Sequence, residues 1–251
     1  MANKINLTFL GTGANGGLPQ MDCNCVFCKS KASKPRLRNG ILFEIDQKKI
    51  LIDASPDIRA QLSSVGLMLQ DIDLIIISHL HWDHCGGLVE LSCGRPLNIN
   101  ILCSAENRET LKVSSYFSFL FEMGFARFSK RGLGNVKPRL FKVKHDSNFP
   151  TSAIKITSGD KNVLVATDVD AINRKFLREI KKSDLVVFDG TFYEKSLHNH
   201  ICIKQSASVL SKHTKNVVYT HINHSENIKG VNKYLSRFGF TLAFDGMRIK
   251  V

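Results

Sequence analysis

The chain has 251 residues, of which 43% are hydrophobic and 23% charged, and its formal net charge is +13 at pH 7. That balance excludes a disordered chain, and no stretch approaches the roughly 20 consecutive apolar residues of a membrane span. The length suits one large α/β domain, read as residues 1–251 because no Pro/Gly linker divides it.

The opening "MANKINLTFLGTG" runs straight into a strand pattern without signal-peptide architecture, so the expected location is cytoplasmic. A basic surface favours anionic partners, either a small anionic substrate or nucleic acid. The densest basic run, residues 126–144, holds Arg127, Lys130, Arg131, Lys137, Arg139, Lys142 and Lys144. It reads as a solvated face or as a phosphate-attracting rim. Seven cysteines without an export signal argue against a disulfide scaffold. Cys23, Cys25 and Cys28 cluster in "DCNCVFC", which is metal-clip spacing, whereas Cys85, Cys93, Cys103 and Cys202 sit in apolar surroundings and read as small hydrophobes.

Taken in chain order, "INLTFLGTG" predicts a strand ending in a glycine turn, and "ILFEIDQKKILIDAS" a hairpin. "SPDIRAQLSSVGL" predicts a helix with Ser55 as N-cap, Pro56 at the first helical position and a stop at Gly66. "DLIIIS" reads as a strand buried on both faces. A short helix near residues 88–91, the strand "LNINILCS" and a helical stretch over about 106–123 follow. In the second half "AIKITSGDKNVLVATD" predicts a hairpin, "DAINRKFLREIKK" a helix and "DLVVFDGT" a strand. "KQSASVLSKH" and "SENIKGVNKYLSRFG" read as helices flanking the strand "NVVYTHI", and "TLAFDGMRIKV" as one closing strand. Strands alternating with helices in both halves predict a layered α/β fold.

The run "LIIISHLHWDHCGG" ends an apolar strand in His79, His81, Asp83 and His84. Imidazoles and a carboxylate crowded there are costly unless something pairs them, and a metal ion does so. In an extended segment His79 and His81 point to one side and reach one ion, while Asp83 and His84 open a helix and face a neighbouring position. Further ligands are expected at other strand ends. His145 follows "LFKVK", Asp168 ends "NVLVATD" and His221 ends "NVVYTH".

The pattern H-x-H-x-D-H, with a later His, a strand-terminal Asp and a last His, resembles the metallo-β-lactamase superfamily, as do the "FLGTG" and "ILIDAS" turns. The resemblance implies a four-layer αβ/βα sandwich with two metals in a cleft. One metal would take His79, His81 and His145, the other Asp83, His84 and His221, with Asp168 bridging. Zn, Mn or Fe suits such N/O sites, and a hydroxide between two metals is a usable nucleophile near neutral pH. "GANGGLPQMDCNCVFC", "ASPDIRAQL", "FDGTF", "NHICI" and "THINH" resemble the coenzyme PQQ synthesis protein B family. The cysteine cluster, "THINHSE" and "FDGMRI" also resemble the cyclic phosphodiesterases of phosphonate-degradation operons. Both families imply a structural zinc at Cys23, Cys25 and Cys28, and the second implies His224 as its fourth ligand. The PQQ branch does not keep the complete H-x-H-x-D-H set, which this chain does.

The expected function is therefore metal-dependent hydrolysis of a small phosphodiester, cyclic ones included. Asp83 and His200 are the candidate catalytic residues, His200 as general acid with His198 as the alternative; His213, at a helix end, reads as a surface cation. A PQQ-type role in maturing a peptide-derived cofactor is the first alternative, and a tRNA-processing endonuclease the second, which the charge invites but the cysteine clip and the lack of an arm disfavour. A homodimer is compatible with the sequence, and a membrane partner is not expected.

Overall fold

The computed structural model describes residues 4–31, 33–129 and 132–251; Lys130 and Arg131 of the basic run lie outside them. The strands are β1 (Asn6–Gly11), β2 (Gly40–Ile45), β3 (Lys48–Ile52), β4 (Leu74–Ile76), β5 (Ile99–Leu102), β6 (Ala126–Phe128), β7 (Lys137–Val143), β8 (Thr151–Ser158), β9 (Lys161–Ala166), β10 (Leu185–Asp189), β11 (Val217–Thr220), β12 (Thr241–Leu242) and β13 (Arg248–Lys250). Among the described residues they form two mixed sheets, ordered β13-β1-β2-β3-β4-β5-β6 and β12-β11-β10-β9-β8-β7. Each sheet has the same plan. An antiparallel hairpin (β2–β3, with Ile41 opposite Ile52; β8–β9, with Ile154 opposite Val165) continues into parallel strands, β3-β4-β5 and β9-β10-β11.

Strand periodicity explains the layering. Ile41, Phe43 and Ile45 of β2, Ile50 and Ile52 of β3, and Val163 and Val165 of β9 point into a core shared by the two sheets. Their neighbours Leu42 and Leu51 point the other way, under the helices Ile58–Ser64, Ala105–Val113 and Ser118–Glu122. Leu164 and Ala166 likewise pack under Arg174–Lys181, Ile203–Leu210 and Ile228–Leu235. With both faces covered, the strands read as unbroken apolar runs. The result is the expected four-layer sandwich. No helix among the described residues is long and apolar enough to cross a membrane.

Several elements depart from expectation. The helix after β3 begins at Ile58 with Asp57 at its N-cap, two residues later than the Ser55–Pro56 reading. Ser55 is fully buried and its hydroxyl accepts from the Asp57 N–H, while the Asp57 carboxylate is taken by Arg38 and makes no capping bond. The ladder of β4 stops at Ile76, and His79 and His81 lie beyond it in a loop. The stretch over 106–123 is two helices, broken where Ser114 turns extended and accepts from the Tyr116 N–H. The single closing strand is two strands in different sheets, β12 beside β11 and β13 beside β1. Asp245 holds the crossing, accepting from the Thr12 hydroxyl at 2.6 Å and from the Leu37 N–H at 2.7 Å.

Candidate metal centre

The parallel strands of the two sheets end on the same side of the sandwich, and their C-terminal ends deliver the polar side chains, as open α/β sheets do. Behind β4, His79 is fully buried, and the turn Trp82–Cys85 presents Asp83 and His84. His145 follows β7, Asp168 follows β9 and His221 follows β11. Ligand atoms of His79, His81, His145 and Asp168 all lie within 4.8 Å of one another, and so do those of Asp83, His84 and His221. Asp168 reaches both groups: Oδ1 is 3.7 Å from His145 Nε2, and Oδ2 is 3.3 Å from His84 Nε2. The structure thus brings all seven of these residues together.

The spacing fits ions. Ligands about 2.0–2.1 Å from a tetrahedral metal lie about 3.3 Å apart. His84 Nε2 is 3.2 Å from His221 Nε2 and 3.3 Å from Asp83 Oδ2, and His145 Nε2 is 3.4 Å from His81 Nδ1. Two imidazole nitrogens facing at such distances share either a proton or a metal ion. His79 Nε2 is buried and makes no hydrogen bond, an orphan that a metal would satisfy. Burial drives the His79 imidazole well below its ordinary pKa, keeping it neutral as a ligand must be. Burial also opposes charge on His84, yet the carboxylates of Asp168, Asp83 and Asp53 raise its pKa well above normal, so this position attracts positive charge. Burial opposes ionisation of Asp168 too, and the surrounding imidazoles, His221 first, outweigh it and hold the carboxylate ionised.

A set of residues that sequence reasoning did not assign orients the clustered imidazoles. Asp53, fully buried at the end of β3, accepts from His84 Nδ1 at 2.7 Å and from the Ser78 N–H at 2.8 Å. The Ser78 hydroxyl lies 3.0 Å from both Asp53 and His79 Nδ1. Asp189, at the end of β10, accepts from the Thr191 hydroxyl at 2.7 Å, and Thr191 Oγ1 in turn lies 2.9 Å from His221 Nδ1. Such partners fix which ring nitrogen faces a metal. The available signal was the one that found Asp168: an aspartate ending an apolar strand.

His200, the expected general acid, is buried beside this cluster with Nε2 3.8 Å from Asp168 Oδ1. Burial alone would depress its pKa, but the Asp189 carboxylate, 2.7 Å from Nδ1, raises it to about 9. His198, the alternative, is exposed at the rim next to Phe192. The centre opens into a cleft of about 770 Å³ that is also lined by Asn15, Gln20, Met21, Arg38 and Trp82. Arg38 is held there by Asn15 O at 2.7 Å and Asp57 Oδ1 at 3.0 Å.

The cysteine cluster forms a second group. Sγ of Cys23, Cys25 and Cys28 lie 3.8, 3.6 and 3.3 Å from His224 Nδ1. A tetrahedral zinc with sulfur at 2.3 Å and nitrogen at 2.0–2.1 Å has an S–N edge of about 3.6 Å. Backbone N–H groups of Gln20, Cys25 and Cys28 donate to the three sulfurs. The Cys28 N–H is the main reason that the Cys25 thiol is lowered to about 6. Cys85 and Cys103 are buried and burial raises both thiols, so they behave as the hydrophobes expected. Cys202 is buried as well, whereas Cys93 is exposed.

The sequence profile of the β-lactamase superfamily domain matches residues 48–222, well over half of the chain. The chain belongs to that superfamily. Among curated relatives, an octanoyltransferase of Porphyromonas gingivalis is 26% identical over 86% of this chain, but the chain spans only 45% of that protein. Coenzyme PQQ synthesis protein B of Methylococcus capsulatus is 26% identical, covering 96% of this chain and 98% of the relative. Among solved structures, a diphosphatase of the PhnP family superposes with a TM-score of 0.83 at 26% identity, covering 99% of this chain and 97% of the other. Zinc-bound PqqB of Methylobacterium extorquens reaches 0.84 at 19% identity, covering 97% and 99%. The resemblance to both families thus stands, and the superfamily fold implies divalent metal binding.

Proposed function

We propose that this chain is a metal-dependent hydrolase of a small phosphodiester. The observation that carries the reading is the complete ligand set gathered around Asp168 at the floor of an open cleft. Likeness over nearly the full length to a PhnP-family diphosphatase supports hydrolysis at phosphorus. His79, His81 and His145 would hold one divalent ion and Asp83, His84 and His221 the other, with Asp168 within reach of both. Zinc or manganese fits these donors, with iron as a third option. Bound ions of this kind supply Lewis acidity and acidify water.

The remaining work falls to the chain's own groups. Arg38 attracts and orients the anionic substrate at the cleft wall. Asp53 and Thr191 keep His84 and His221 in register. His200, charged and held by Asp189, donates the proton that the leaving oxygen needs. Cys23, Cys25, Cys28 and His224 would hold a structural zinc, which would pin the loop over residues 20–28 to the segment after His221.

The test is hydrolysis of bis(p-nitrophenyl) phosphate by chelated protein, repeated after adding back manganese or zinc. Metal-dependent turnover, lost in Asp168→Ala, is the expected result. A second reading, a PQQ-type role in cofactor maturation, is favoured by the full-length match to PQQ synthesis protein B. Absence of turnover with either metal, in protein whose cleft still binds metal, would transfer the assignment to it.

A further inference from the structure

Trp82 sits between His81 and Asp83, yet its own side chain serves no ligand. It is 49% exposed and lines the cleft. A large indole left open beside a reaction centre is unusual, because burying it would remove substantial apolar area from water.

The ring is nevertheless held. A Cβ at Gly86 would lie 2.7 Å from Cδ2 and Cε2 of the indole, so one ring face rests on the bare glycine backbone. Only glycine allows that approach. Tyr116, 55% exposed, meets the ring edge-on, with centroids 5.8 Å apart and planes at 71°. With one face on backbone and Tyr116 packed in a T-shaped arrangement, the part of the indole that stays exposed is the part that lines the cleft. Met21, 85% exposed, lines the same cleft, as does the cationic Arg38. An aromatic surface and a cationic side chain lining one cleft match a ligand that joins a ring to a phosphate.

We propose that Trp82 is a stacking platform that makes the substrate a nucleoside phosphodiester, its base lying on the open indole face while its phosphate sits over the metal centre. The inference rests on the phosphodiesterase reading above and names the substrate class. Stacking on an aromatic side chain tolerates any base, so the site selects for a base without selecting which one.

Trp82 is the single tryptophan of the chain, so its fluorescence reports on this surface alone. In metal-loaded protein, adenosine 5′-monophosphate should quench the emission saturably. Ribose 5-phosphate, which lacks only the base, should bind about tenfold more weakly or worse and leave the emission unchanged. Equal binding of the two without quenching would overturn the proposal. Kinetics give a second readout. Thymidine 5′-(p-nitrophenyl phosphate) and methyl p-nitrophenyl phosphate share a leaving group and differ in the nucleoside. The wild-type ratio of their kcat/KM values should fall about 5- to 100-fold in Trp82→Ala, the range for loss of one base stack, and should largely survive in Trp82→Phe. Tyr116→Ala, remote from the ligands, should lower the same ratio less. A loss shared equally by both esters would assign Trp82 a structural role and refute the platform. Turnover of neither ester by the wild type would defeat the phosphodiesterase reading, while the quenching comparison would still decide whether a base stacks.

Discussion

Asp53→Asn separates the metal reading from a purely structural one. Asp53 is fully buried, with Oδ1 accepting from the Ser78 N–H at 2.8 Å and Oδ2 facing both His84 Nδ1 at 2.7 Å and the Ser78 hydroxyl at 3.0 Å. The amide keeps the volume and one acceptor but turns the His84-facing atom into a donor. His84 then loses the partner that fixes its proton on Nδ1, and the tautomer with Nε2 protonated becomes competitive. That tautomer points an N–H at the position where His221 and Asp83 converge, and it cannot ligate. Losing such a partner typically costs 10- to 100-fold in metal affinity, about 1.4–2.8 kcal/mol. The same amount should disappear from the stabilisation that saturating metal confers. Competition against a chromophoric chelator gives the affinity, and melting of metal-free and metal-loaded protein gives the stability difference. Affinity within about twofold of wild type, in folded protein, would refute the role given to Asp53 and with it the ligand role of His84.

Asp168→Ala removes the carboxylate shared by both ligand groups and should lower turnover of bis(p-nitrophenyl) phosphate by at least about 1,000-fold, a residue acting in the chemical step being worth 100- to 10,000-fold or more; retained activity would show that the bridging assignment is wrong. His200→Gln should slow esters with alkyl leaving groups by about 100-fold or more while affecting p-nitrophenyl esters far less, because p-nitrophenolate leaves without a proton; equal losses would remove the general-acid role. Arg38→Ala should raise KM about tenfold with little change in melting temperature, since its pair with Asp57 is partly solvent-exposed and such pairs contribute little to stability. Cys25→Ser should release one equivalent of zinc and lower the melting temperature, with activity per folded molecule largely kept; loss of activity at unchanged stability would defeat the structural-clip reading.

The seven clustered residues stood out in the sequence because their chemistry breaks with the apolar strands they follow. A strand buried on both faces has no use for His79 or Asp168 at its end, so each stands out against the apolar run before it. Asp53 and Asp189 end strands in the same way, but a lone aspartate closing a strand is common, and nothing local distinguishes one that will face His84 or His200. The hairpins were legible as paired apolar runs joined by polar turns, at Asp46–Gln47 and Gly159–Asp160. The closing segment was not, because "TLAFDGMRIKV" is apolar enough for one strand. What splits it between sheets is Asp245, whose partners Thr12 and Leu37 are more than 200 positions away. Likewise Ser55 keeps its hydroxyl on the Asp57 N–H, as a cap does, but the helix proper starts only at Ile58.

The short segment from His221 to His224 ties the two metal groups together. His221 adopts a left-handed backbone, φ 61°, which is costly for a residue with a Cβ and persists only where neighbours impose it. Those neighbours are present on both sides. The Ile222 N–H donates to Thr12 O at 2.8 Å, Ala14 N–H donates back to Ile222 O at 3.0 Å, and Asn223 N–H donates to Thr191 O at 3.0 Å. His224 then enters the cysteine cluster. The turn that points His221 at Asp83 and Asp168 is therefore clamped by the end of β1, by the loop that carries Thr191, and by the cysteine loop through His224. Two of these clamps come from the first 28 residues, which lie outside the segment matched by the superfamily profile. The N-terminal glycine turn thus braces the one residue of the seven whose own backbone resists its position, while the clip anchors the end of the same segment.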